Sequence, residues 1–488
     1  MDQRAGGPLA SLAGRAPVSA LLALAAFGLA NACLPLPERP AGESSPRVSR
    51  AAAAPPLPSP ASTPTPLDAP GYSPVKPVIG DYFADPTVIR VGGTYFAYGT
   101  NNAAGALPVA TAPSPTGPWT QNPGDGLAQL PAWAAPGWTW APEVVPPRGG
   151  KGPYILYFSA RRKDRDVQCI GVATARSAAG PFVPAEGEPL VCPLDLGGAI
   201  DPASYIEDDG TRYLLYKTDA REKAAVHLVR LTPDGLRPAG APKRILGRDG
   251  NEPVLVEAPD LVRRGGKYVL FYSAGWYFKS NYQTRYATAS SIMGPYRKAA
   301  APLLSTGAYG GRVQGPGSAD VLAEESGDRL VFHGIREYRG GSRVNRAMYV
   351  AALGWDGARP VVRGVPVRYE AERGRLNGCV TVLGRRKASG GRAAGAFARA
   401  GCPLEFPVFA PVAGRYSVAV RYANWSKGRS RLELAVNGTA PATVPLRPGK
   451  TGSWATTATV EGDLGAGWNT LSLRRLDGRG QVDYVEVR

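Results

Sequence analysis

The sequence predicts an all-β protein in which a five-bladed β-propeller is followed by a β-sandwich of the jelly-roll type. Three observations support this fold class: a repeat of about 58 residues, a second repeat that interleaves with it, and a change of pattern near residue 360. A period of this length is typical of one propeller blade, which is a sheet of about four short strands.

The first repeat places an acidic residue beside a proline or an alanine, before an aromatic, alternating run that is typical of a β-strand. The acids are Asp85, Glu143, Asp201 and Glu257. The runs extend from Tyr95 to Thr100, Tyr154 to Ser159, Tyr213 to Lys217 and Tyr268 to Ser273. We expect the acids to occupy equivalent places at the start of the innermost strands of four successive blades.

The second repeat is a short strand closed by a Gly-Pro turn. Its three turns are Gly117-Pro118, Gly180-Pro181 and Gly294-Pro295, and a degenerate fifth unit follows between Gly315 and Gly354. Because equivalent positions on successive blades converge on one axis, acids that are far apart in the sequence are expected to surround one pocket.

The propeller is expected over residues 77–360 and the sandwich over residues 367–488. Tyr369-Glu370-Ala371-Glu372 opens the second region, and Val482-Asp483-Tyr484-Val485-Glu486-Val487 closes it. Between these motifs lie short alternating segments separated by Gly and Asn turns, a pattern that predicts a β-sandwich.

Residues 1–32 are interpreted as an export signal, because an apolar core leads to the small-x-small motif Ala30-Asn31-Ala32. Residues 33–76 form a linker rich in Pro and Ala. Cys33 directly follows the cleavage motif, so lipidation at this cysteine is an alternative to simple secretion. We therefore expect an extracellular protein, or one anchored at the cell surface through a lipid on Cys33.

Four of the five cysteines of the chain are expected to form disulfides if the protein is exported. We predict the pairs Cys169–Cys192 and Cys379–Cys402, which leave Cys33 over. A zinc site is not expected, because the chain has no Cys-x-x-Cys motif and two histidines in all.

The net charge of +18 has two interpretations: attraction to an acidic polymer, or a composition rich in Arg throughout, which we favour. No nucleic-acid motif is present, and no basic cluster is interleaved with aromatic residues, so no nucleic-acid partner is expected. We expect a monomer.

The acids of the first repeat also have two interpretations. A single Asp-Pro is explained by turn chemistry, since an Asp side chain can cap its own backbone. Several carboxylates in one cleft repel one another, which separates their pKa values. Glycoside hydrolysis requires one protonated acid and one ionised base, so the group of acids predicts a glycosidase site.

The same residues resemble glycoside hydrolase family 43. The resemblance covers roughly residues 77–360 and depends on Asp85 in Ala-Asp-Pro, Asp201 in Ile-Asp-Pro and Glu257 in Val-Glu-Ala-Pro. It implies a five-bladed propeller that hydrolyses arabinose- or xylose-containing polysaccharides with inversion. By matching motif, Asp85 would be the general base, Glu257 the general acid, and Asp201 the residue that orients and tunes the acid.

Further residues are expected to bind substrate. Trp140 matches a tryptophan that stacks on sugar in related enzymes, with blade packing as the alternative. Glu143 would bind substrate or would be a strand-start carboxylate. Members of the family often have a histidine lining a central calcium where this chain has Ser318, which argues against a propeller calcium. His333 could substitute, but we expect a buried histidine with its hydrogen bonds satisfied. No organic cofactor is expected.

The C-terminal region resembles carbohydrate-binding modules of family 35 or family 6. The resemblance implies a structural calcium held by Glu370, Glu372 and Asp483, whose oxygen ligands suit Ca²⁺. The alternative is that these are exposed charges of an edge strand. Trp425 and Trp454 lie in loop-like stretches and would either stack on sugar or pack in the core.

Together these observations predict an exported inverting glycosidase that acts on arabinan, arabinoxylan or xylan. An α-L-arabinofuranosidase or arabinanase is favoured over a β-xylosidase. Two alternatives stay open: a non-catalytic propeller that binds carbohydrate at the cell surface, and a retaining fructan-type five-bladed hydrolase in which the first-blade acid is a nucleophile.

Overall fold

The computed structural model describes residues 74–220, 223–395, 401–439, 441–451, 453–457 and 459–488. The predicted export signal, Cys33 and nearly all of the predicted linker lie outside the described residues. Within the described residues the secondary structure consists of β-strands and short 3₁₀ helices. No helix in this part of the chain is long and apolar enough to cross a membrane.

The first domain consists of five four-stranded antiparallel sheets, each with its strands in sequence order. The first sheet contains β1 (Thr87–Val91), β2 (Thr94–Tyr98), β3 (Val109–Ala112) and β4 (Thr120–Gln121). The second contains β5 (Ala134–Val145), β6 (Tyr154–Arg162), β7 (Gln168–Ala175) and β8 (Val183–Pro184). The third contains β9 (Ala199–Ile206), β10 (Arg212–Thr218), β11 (Ala225–Arg230) and β12 (Lys243–Gly247).

The remaining two sheets complete the domain. The fourth contains β13 (Val256–Arg264), β14 (Lys267–Ala274), β15 (Gln283–Ala289) and β16 (Arg297–Lys298). The fifth contains β17 (Gln314–Leu322), β18 (Arg329–Tyr338), β19 (Val344–Asp356) and β20 (Arg359–Val362). The 3₁₀ helices given in full by the described residues of this domain are Arg148–Gly150 and Leu194–Leu196.

The sheets form a closed ring, as a propeller requires. The first strand of each sheet, which we call its inner strand, contacts the inner strand of the next sheet, and β17 contacts β1. The segment before β1 also joins the last sheet, because the backbone N–H of Val78 donates to the Met348 carbonyl at 2.8 Å and that of Phe83 to the Arg346 carbonyl at 2.8 Å. The predicted propeller is therefore confirmed.

The aromatic runs explain how the sheets pack. Successive strand residues point to opposite faces, so Ile155 and Tyr157 pack against the third sheet, whereas Leu156 and Phe158 pack against the first. Five separate apolar clusters fill the five spaces between neighbouring sheets. The second strand of each sheet is apolar on both faces for this reason.

The C-terminal domain is a sandwich of two antiparallel sheets. Its strands are β21 (Val367–Glu370), β22 (Thr381–Gly384), β23 (Arg392–Gly395), β24 (Pro403–Ala410), β25 (Gly414–Ala423), β26 (Ser430–Val436), β27 (Ala442–Leu446), β28 (Ala455–Thr456), β29 (Val460–Leu464), β30 (Gly467–Asp477) and β31 (Gln481–Val487). Strands β24, β30, β26 and β27 form one sheet and the other seven form the second. Two 3₁₀ helices, Ala371–Arg373 and Ser389–Gly391, complete the domain.

The two domains are in contact. The guanidinium of Arg363, just after β20, lies 3.8 Å from the ring centroid of Tyr416 and donates to the Arg415 carbonyl at 2.8 Å. Gly354 allows a close approach, because a Cβ there would lie 2.6 Å from the Cα of Pro411.

The cross-links agree with the sequence analysis. Disulfides join Cys169 to Cys192 in the propeller and Cys379 to Cys402 in the sandwich, so both predicted pairs are confirmed. All three Gly-Pro turns of the second repeat contain a cis peptide bond.

Candidate active site

At equivalent positions in the five sheets, within the inner strand or two residues before it, lies a non-glycine residue with a positive φ angle, which we call the kink residue. The five kink residues are Asp85 (49°), Ala141 (42°), Asp201 (55°), Ala258 (48°) and Ser318 (53°). Non-glycine residues rarely adopt this conformation, so the surrounding structure must hold it in place.

The kinks are held by the preceding sheet in the ring. The backbone N–H of each kink residue donates to one side-chain atom: Asp85 to Nδ1 of His333 (3.2 Å), Ala141 to Oγ1 of Thr100 (3.1 Å), Asp201 to Oγ of Ser159 (3.0 Å), Ala258 to Oδ2 of Asp201 (2.9 Å) and Ser318 to Oγ of Ser273 (2.7 Å). Four of these acceptors lie on the second strand of their sheet or two residues after it. In the third sheet the corresponding residue is Lys217, whose ammonium cannot accept a hydrogen bond, and Asp201 accepts instead.

The four acids of the first repeat are therefore not structurally equivalent, contrary to our expectation. Asp85 and Asp201 are kink residues, Glu257 directly precedes one, and Glu143 lies two positions after one. This offset decides where each side chain points. Asp85, Asp201 and Glu257 line one cavity of about 810 Å³, and Glu143 is not among its lining residues.

Glu143 belongs to a second group of carboxylates, which occupy the position two residues after the kink. Oε1 of Glu143 accepts from the Ser204 N–H, Oδ2 of Asp260 from the Val321 N–H, and Oδ2 of Asp320 from the Val88 N–H, each at 3.0 Å and each in the next sheet of the ring. They line a smaller cavity of about 40 Å³, which Asp85 and Asp201 also border. Glu143 thus joins neighbouring sheets, which corrects its interpretation as a substrate-binding residue.

Asp85 is held as an anion. Nη1 of Arg346 donates to its Oδ1 at 2.9 Å, and Oγ1 of Thr100 donates to its Oδ2 at 2.6 Å. Burial alone would raise the pKa of Asp85, but Arg346 and the hydrogen-bond donors outweigh it and hold this pKa well below its usual range. The carboxylate can therefore accept a proton at neutral pH.

His333 is fully buried beside Asp85. Its Nδ1 lies 3.2 Å from the backbone N of Asp85 and 3.2 Å from Oδ1 of Asp85, so it can accept from the N–H or, when protonated, donate to the carboxylate. Burial, together with the charge of Arg346, lowers the pKa of His333. The expected burial of His333 is confirmed, and its Nε2 has no hydrogen-bond partner among the described residues.

Glu257 has the environment of an acid. Its Oε1 accepts a hydrogen bond from the Tyr282 hydroxyl at 2.8 Å, and its Oε2 lies 3.6 Å from Nζ of Lys217. Burial raises the pKa of Glu257, although Lys217 opposes the shift. Burial and then the charge of Glu257 raise the pKa of Asp201, so the two carboxyl groups compete for protons.

Aromatic residues form the walls of the cavity. Trp140 lines it as predicted and lies against Trp138, with ring centroids 5.8 Å apart. Trp276 and Tyr277 lie on the segment after β14 and also line it. Flat apolar rings of this kind stack on the faces of sugar rings.

The sequence analysis missed several residues of the site: Thr100, Lys217, Asp219, Tyr282 and Arg346. For Thr100 and Lys217 the sequence did contain a signal, because each is the last residue of one of the aromatic runs. The equivalent last residues in the five sheets are Thr100, Ser159, Lys217, Ser273 and His333. Tyr282 and Arg346 belong to no repeat. Tyr282 fits because Gly317 has no side chain that would collide with its ring.

The predicted calcium ligands of the sandwich gather around the Ser389–Gly391 turn. Oγ of Ser389 donates to Glu370 at 2.7 Å and its N–H donates to Asp483 at 2.8 Å. One buried oxygen of Glu370 and one of Glu372 have no hydrogen-bond partner among the described residues. Asp483, however, pairs with Arg421 at 2.9 Å, and the described residues contain no group of three His, Cys, Asp or Glu placed to hold a metal.

The sandwich has a second candidate sugar site. Trp425 lines a cavity of about 670 Å³ whose other lining residues include Arg385, Arg475 and Arg479. The Arg385 guanidinium lies 5.4 Å from the Trp425 ring centroid. Trp454 packs edge-on against Trp425, with 6.3 Å between ring centroids.

Comparison with known proteins gives matches to both domains. The model of Glycosyl hydrolases family 43 matches residues 74–358, and that of Carbohydrate binding module (family 35) matches residues 367–488. The chain is 31% identical over 230 residues to the arabinoxylan arabinofuranohydrolase of Bacillus subtilis, covering 42% of this chain and 40% of that protein. It is 24% identical over 252 residues to the extracellular endo-alpha-(1->5)-L-arabinanase 2 of the same organism, covering 46% of this chain and 52% of that protein. The chain thus spans about half the length of these relatives.

Solved structures agree with the fold. An endo-1,4-beta-xylanase from Bacteroides thetaiotaomicron superposes with a TM-score of 0.50 and 25% identity, covering 59% of this chain and 97% of that chain. A thermostable family-43 glycoside hydrolase also has a TM-score of 0.50, with 24% identity over 58% of this chain and 92% of that chain. Because the family model matches more than half of the sequence, the chain belongs to the glycosyl hydrolases of family 43, and a family 35 carbohydrate-binding module follows its propeller.

Proposed function

We propose that the protein is an inverting glycosidase that hydrolyses arabinose- or xylose-containing polysaccharides. The observation that carries this proposal is the difference between two carboxyl groups of one cavity: Asp85 is paired with Arg346, whereas Glu257 is buried, and its burial raises its pKa although Lys217 and the Tyr282 hydroxyl oppose the shift. One group is kept ionised and the other is placed to keep a proton, which is the division that inverting hydrolysis requires.

In the proposed reaction Asp85 accepts a proton from a water molecule as the water attacks the anomeric carbon. Glu257 gives its proton to the departing glycosidic oxygen. Asp201 orients the fourth sheet through its hydrogen bond to the Ala258 N–H, and in its ionised form its charge would favour the protonated form of Glu257. Trp140 and its neighbours stack on the sugar.

The substrate proposal uses the relatives. Two proteins of similar sequence are named for arabinose-releasing or arabinan-cleaving activity, and a similar structure is named as a xylanase. We favour an α-L-arabinofuranosidase or arabinanase over a β-xylosidase. A panel of aryl glycosides together with debranched arabinan, arabinoxylan and xylan would decide, since a strong preference for xylosides would reverse this choice.

Product stereochemistry tests the mechanism directly. NMR spectra of the fresh product should show the inverted anomer before it mutarotates. Retention would instead support the alternative in which Asp85 is a nucleophile, as in fructan-type five-bladed hydrolases. Absence of turnover on every glycan tested would support a non-catalytic carbohydrate-binding propeller.

For the sandwich we propose that Trp425 stacks on a sugar while the arginines of its cavity donate hydrogen bonds to sugar oxygens. Substitution of Trp425 by Ala should weaken retention on polysaccharide in affinity electrophoresis and leave turnover of small aryl glycosides unchanged. The matched control is Trp468→Ala, because Trp468 is exposed but does not line this cavity. Equal loss of retention in both variants would argue against the Trp425 site.

We also propose that Glu370 and Glu372 bind calcium, with Asp483 joining them if it leaves Arg421. The support is the pair of buried carboxylate oxygens that lack hydrogen-bond partners, since hard oxygen donors suit Ca²⁺. Calcium should raise the melting temperature of the wild-type sandwich, and Glu372→Gln should abolish that rise. An identical melting temperature with calcium and with chelator would refute the site.

Export belongs to the proposal as well. We propose that the protein acts outside the cell as a monomer, either free or anchored by a lipid on Cys33. Cell fractionation of the full chain and of Cys33→Ala would distinguish the two, because only an anchored protein moves from the membrane to the medium on substitution. Light scattering would give the oligomeric state.

A further inference from the structure

One buried charge next to the cavity has no role in the mechanism above. The Lys217 side chain is 3% exposed, and its Nζ lies 2.6 Å from Oδ1 of Asp219 and 3.6 Å from Oε2 of Glu257. Among the described residues it is the one cation within 4 Å of Glu257. All three residues line the 810 Å³ cavity.

The ring of sheets shows that Lys217 is an exception. At this position the other four sheets have Thr100, Ser159, Ser273 and His333, and each accepts the hydrogen bond that holds the next kink. Lys217 cannot do so, and Asp201 holds the kink at Ala258 instead. In the third sheet, therefore, the residue at this position does not hold the next kink, and its ammonium group lies close to Glu257 instead.

A buried ammonium needs compensation, because an unpaired charge is costly to remove from water. Asp219 provides it: its Oδ1 lies 2.6 Å from Nζ, which is 1.0 Å closer than Oε2 of Glu257 at 3.6 Å. Lys217 thus stays paired when Glu257 is protonated and still has donors directed at Glu257 when the latter is ionised.

The other groups around Glu257 make this cation important. Asp201 and Asp219 of the third sheet and Asp85 of the first sheet are all acidic, and Tyr282, which follows β14, is neutral. Arg346 of the fifth sheet is already paired with Asp85 at 2.9 Å. When Glu257 loses its proton, the new negative charge therefore appears among carboxylates.

We propose that Lys217 and Asp219 are positioning residues, in which Asp219 holds the Lys217 ammonium beside Glu257 to neutralise the carboxylate that forms when Glu257 donates its proton. This inference rests on the proposed general-acid role of Glu257. In that step the proton passes from Glu257 to the glycosidic oxygen, which also receives the electron pair of the breaking C–O bond. Water forms the new bond to the anomeric carbon and loses its proton to Asp85.

The test is the pH profile of kcat/KM for two variants with opposite expected shifts. Lys217→Met removes the cation, so Glu257 keeps its proton to higher pH and the alkaline limb should move up by about one unit. Asp219→Asn frees Lys217 to pair fully with Glu257, so the limb should move down. Lys217→Arg keeps the charge and should leave the limb closer to wild type than Lys217→Met does.

The rate should depend on the leaving group as well. Without Lys217 the acid is weaker, so turnover of polysaccharide should fall about tenfold or more, while a dinitrophenyl glycoside, which needs little protonation, should lose much less. Lys298→Met is the matched control, because Lys298 is another lysine in a close ion pair, 2.6 Å from Glu252, and does not line the cavity. It should leave the alkaline limb in place.

The outcomes separate this inference from the proposed function. If Glu257→Ala loses activity equally on polysaccharide and on the dinitrophenyl glycoside, the general-acid assignment itself is wrong. If Glu257→Ala is selective but Lys217→Met and Asp219→Asn shift the limb in the same direction or not at all, the positioning role is overturned. Thermal melts establish that each variant is folded, and if Lys217→Met is not, Asp219→Asn alone decides by the sign of its shift.

Discussion

Two groups of carboxylates lie on or just before the inner strands of the propeller, and they differ in the cavity that they line and in their hydrogen-bond partners. The cavity acids, Asp85, Asp201 and Glu257, line the large cavity. The support acids, Glu143, Asp260 and Asp320, line the small one and accept hydrogen bonds from backbone N–H groups of the next sheet. An offset of two or three residues along the strand thus separates a group that can do chemistry from one that joins sheets.

The two groups also differ in the partners that compensate their negative charges. The cavity acids are close to cationic side chains, Arg346 beside Asp85 and Lys217 beside Glu257, and they can exchange protons with a bound substrate. The support acids are tied to backbone groups that never titrate. We therefore expect substitutions among the cavity acids to change rates and pH profiles, and substitutions among the support acids to change the free energy of unfolding.

The largest effect is expected for Asp85→Asn. The amide cannot accept a proton from water, and a positioned general base contributes about 10²–10⁴-fold to the rate. The value of kcat/KM should fall by that factor on polysaccharide and on activated glycosides alike, because both need the water to be activated. Steady-state kinetics on folded protein would measure it.

The matched control for this loss is Glu143→Gln, since Glu143 belongs to the same sequence repeat but is a support acid. Its kcat/KM should stay within about tenfold of wild type, less than the loss of a catalytic group. Similar losses in the two variants would remove the distinction between cavity acids and support acids.

The next effect concerns stability. Asp320→Ala leaves the buried N–H of Val88 without its acceptor, and such a group typically costs about 1–3 kcal/mol in the free energy of unfolding. Urea unfolding would measure the loss, and kcat/KM of the folded protein should be close to wild type. Asp320→Asn keeps an oxygen acceptor and should recover most of the stability, whereas a large loss of kcat/KM in either variant would speak against a supporting role.

A smaller effect is expected for Asp201→Asn. The amide oxygen can still accept from the Ala258 N–H, but the negative charge beside Glu257 is gone. Glu257 should then ionise more readily, so the alkaline limb of the pH profile should move down by about one unit. If the limb stays in place, Asp201 is the member of the pair that keeps the proton, and it does not tune Glu257.

Much of the fold could be predicted from the sequence, because strand packing in a propeller repeats. Both faces of each second strand are buried, so the aromatic runs recur, and the turns recur with them. The offset between Asp85 and Glu143 was missed because we aligned the acids by their spacing. The prolines, Pro86, Pro142 and Pro202, follow the kink residues, and alignment on them separates Glu143 from the cavity acids.

The partners of the acids could not be predicted in the same way. Arg346 and Tyr282 reach the cavity from segments that belong to no repeat, and their contacts depend on how the ring closes. Lys217 ends a run that the repeat identifies, but nothing in the run indicates that its side chain turns to Glu257. Contacts between side chains that are far apart in the sequence depend on how the ring closes, and a local sequence pattern does not predict them.

The smallest effect is expected in the pH dependence of stability. Burial, and next the charge of Glu143, raise the pKa of Asp260 to about 7, whereas an Asp in an unfolded chain has a pKa of about 3.9. Between these two values the folded protein binds more protons than the unfolded chain. Because stability falls with pH wherever the folded state holds more protons, this group destabilises the fold progressively from about pH 4 to about pH 7.

Asp260→Asn cannot ionise, and its oxygen can still accept from the Val321 N–H. Its free energy of unfolding relative to wild type should therefore increase between pH 5 and pH 8, by about 1 kcal/mol because Asp260 is partly exposed and solvent screens its charge. Urea titrations across this range would measure the difference. Asp477→Asn is the control, since its pairing with Arg431 lowers the pKa of Asp477 and keeps it ionised throughout. Parallel stability curves for wild type and Asp260→Asn would mean that Asp260 is ionised in the folded protein, and that the support acids tolerate charge as the cavity acids do.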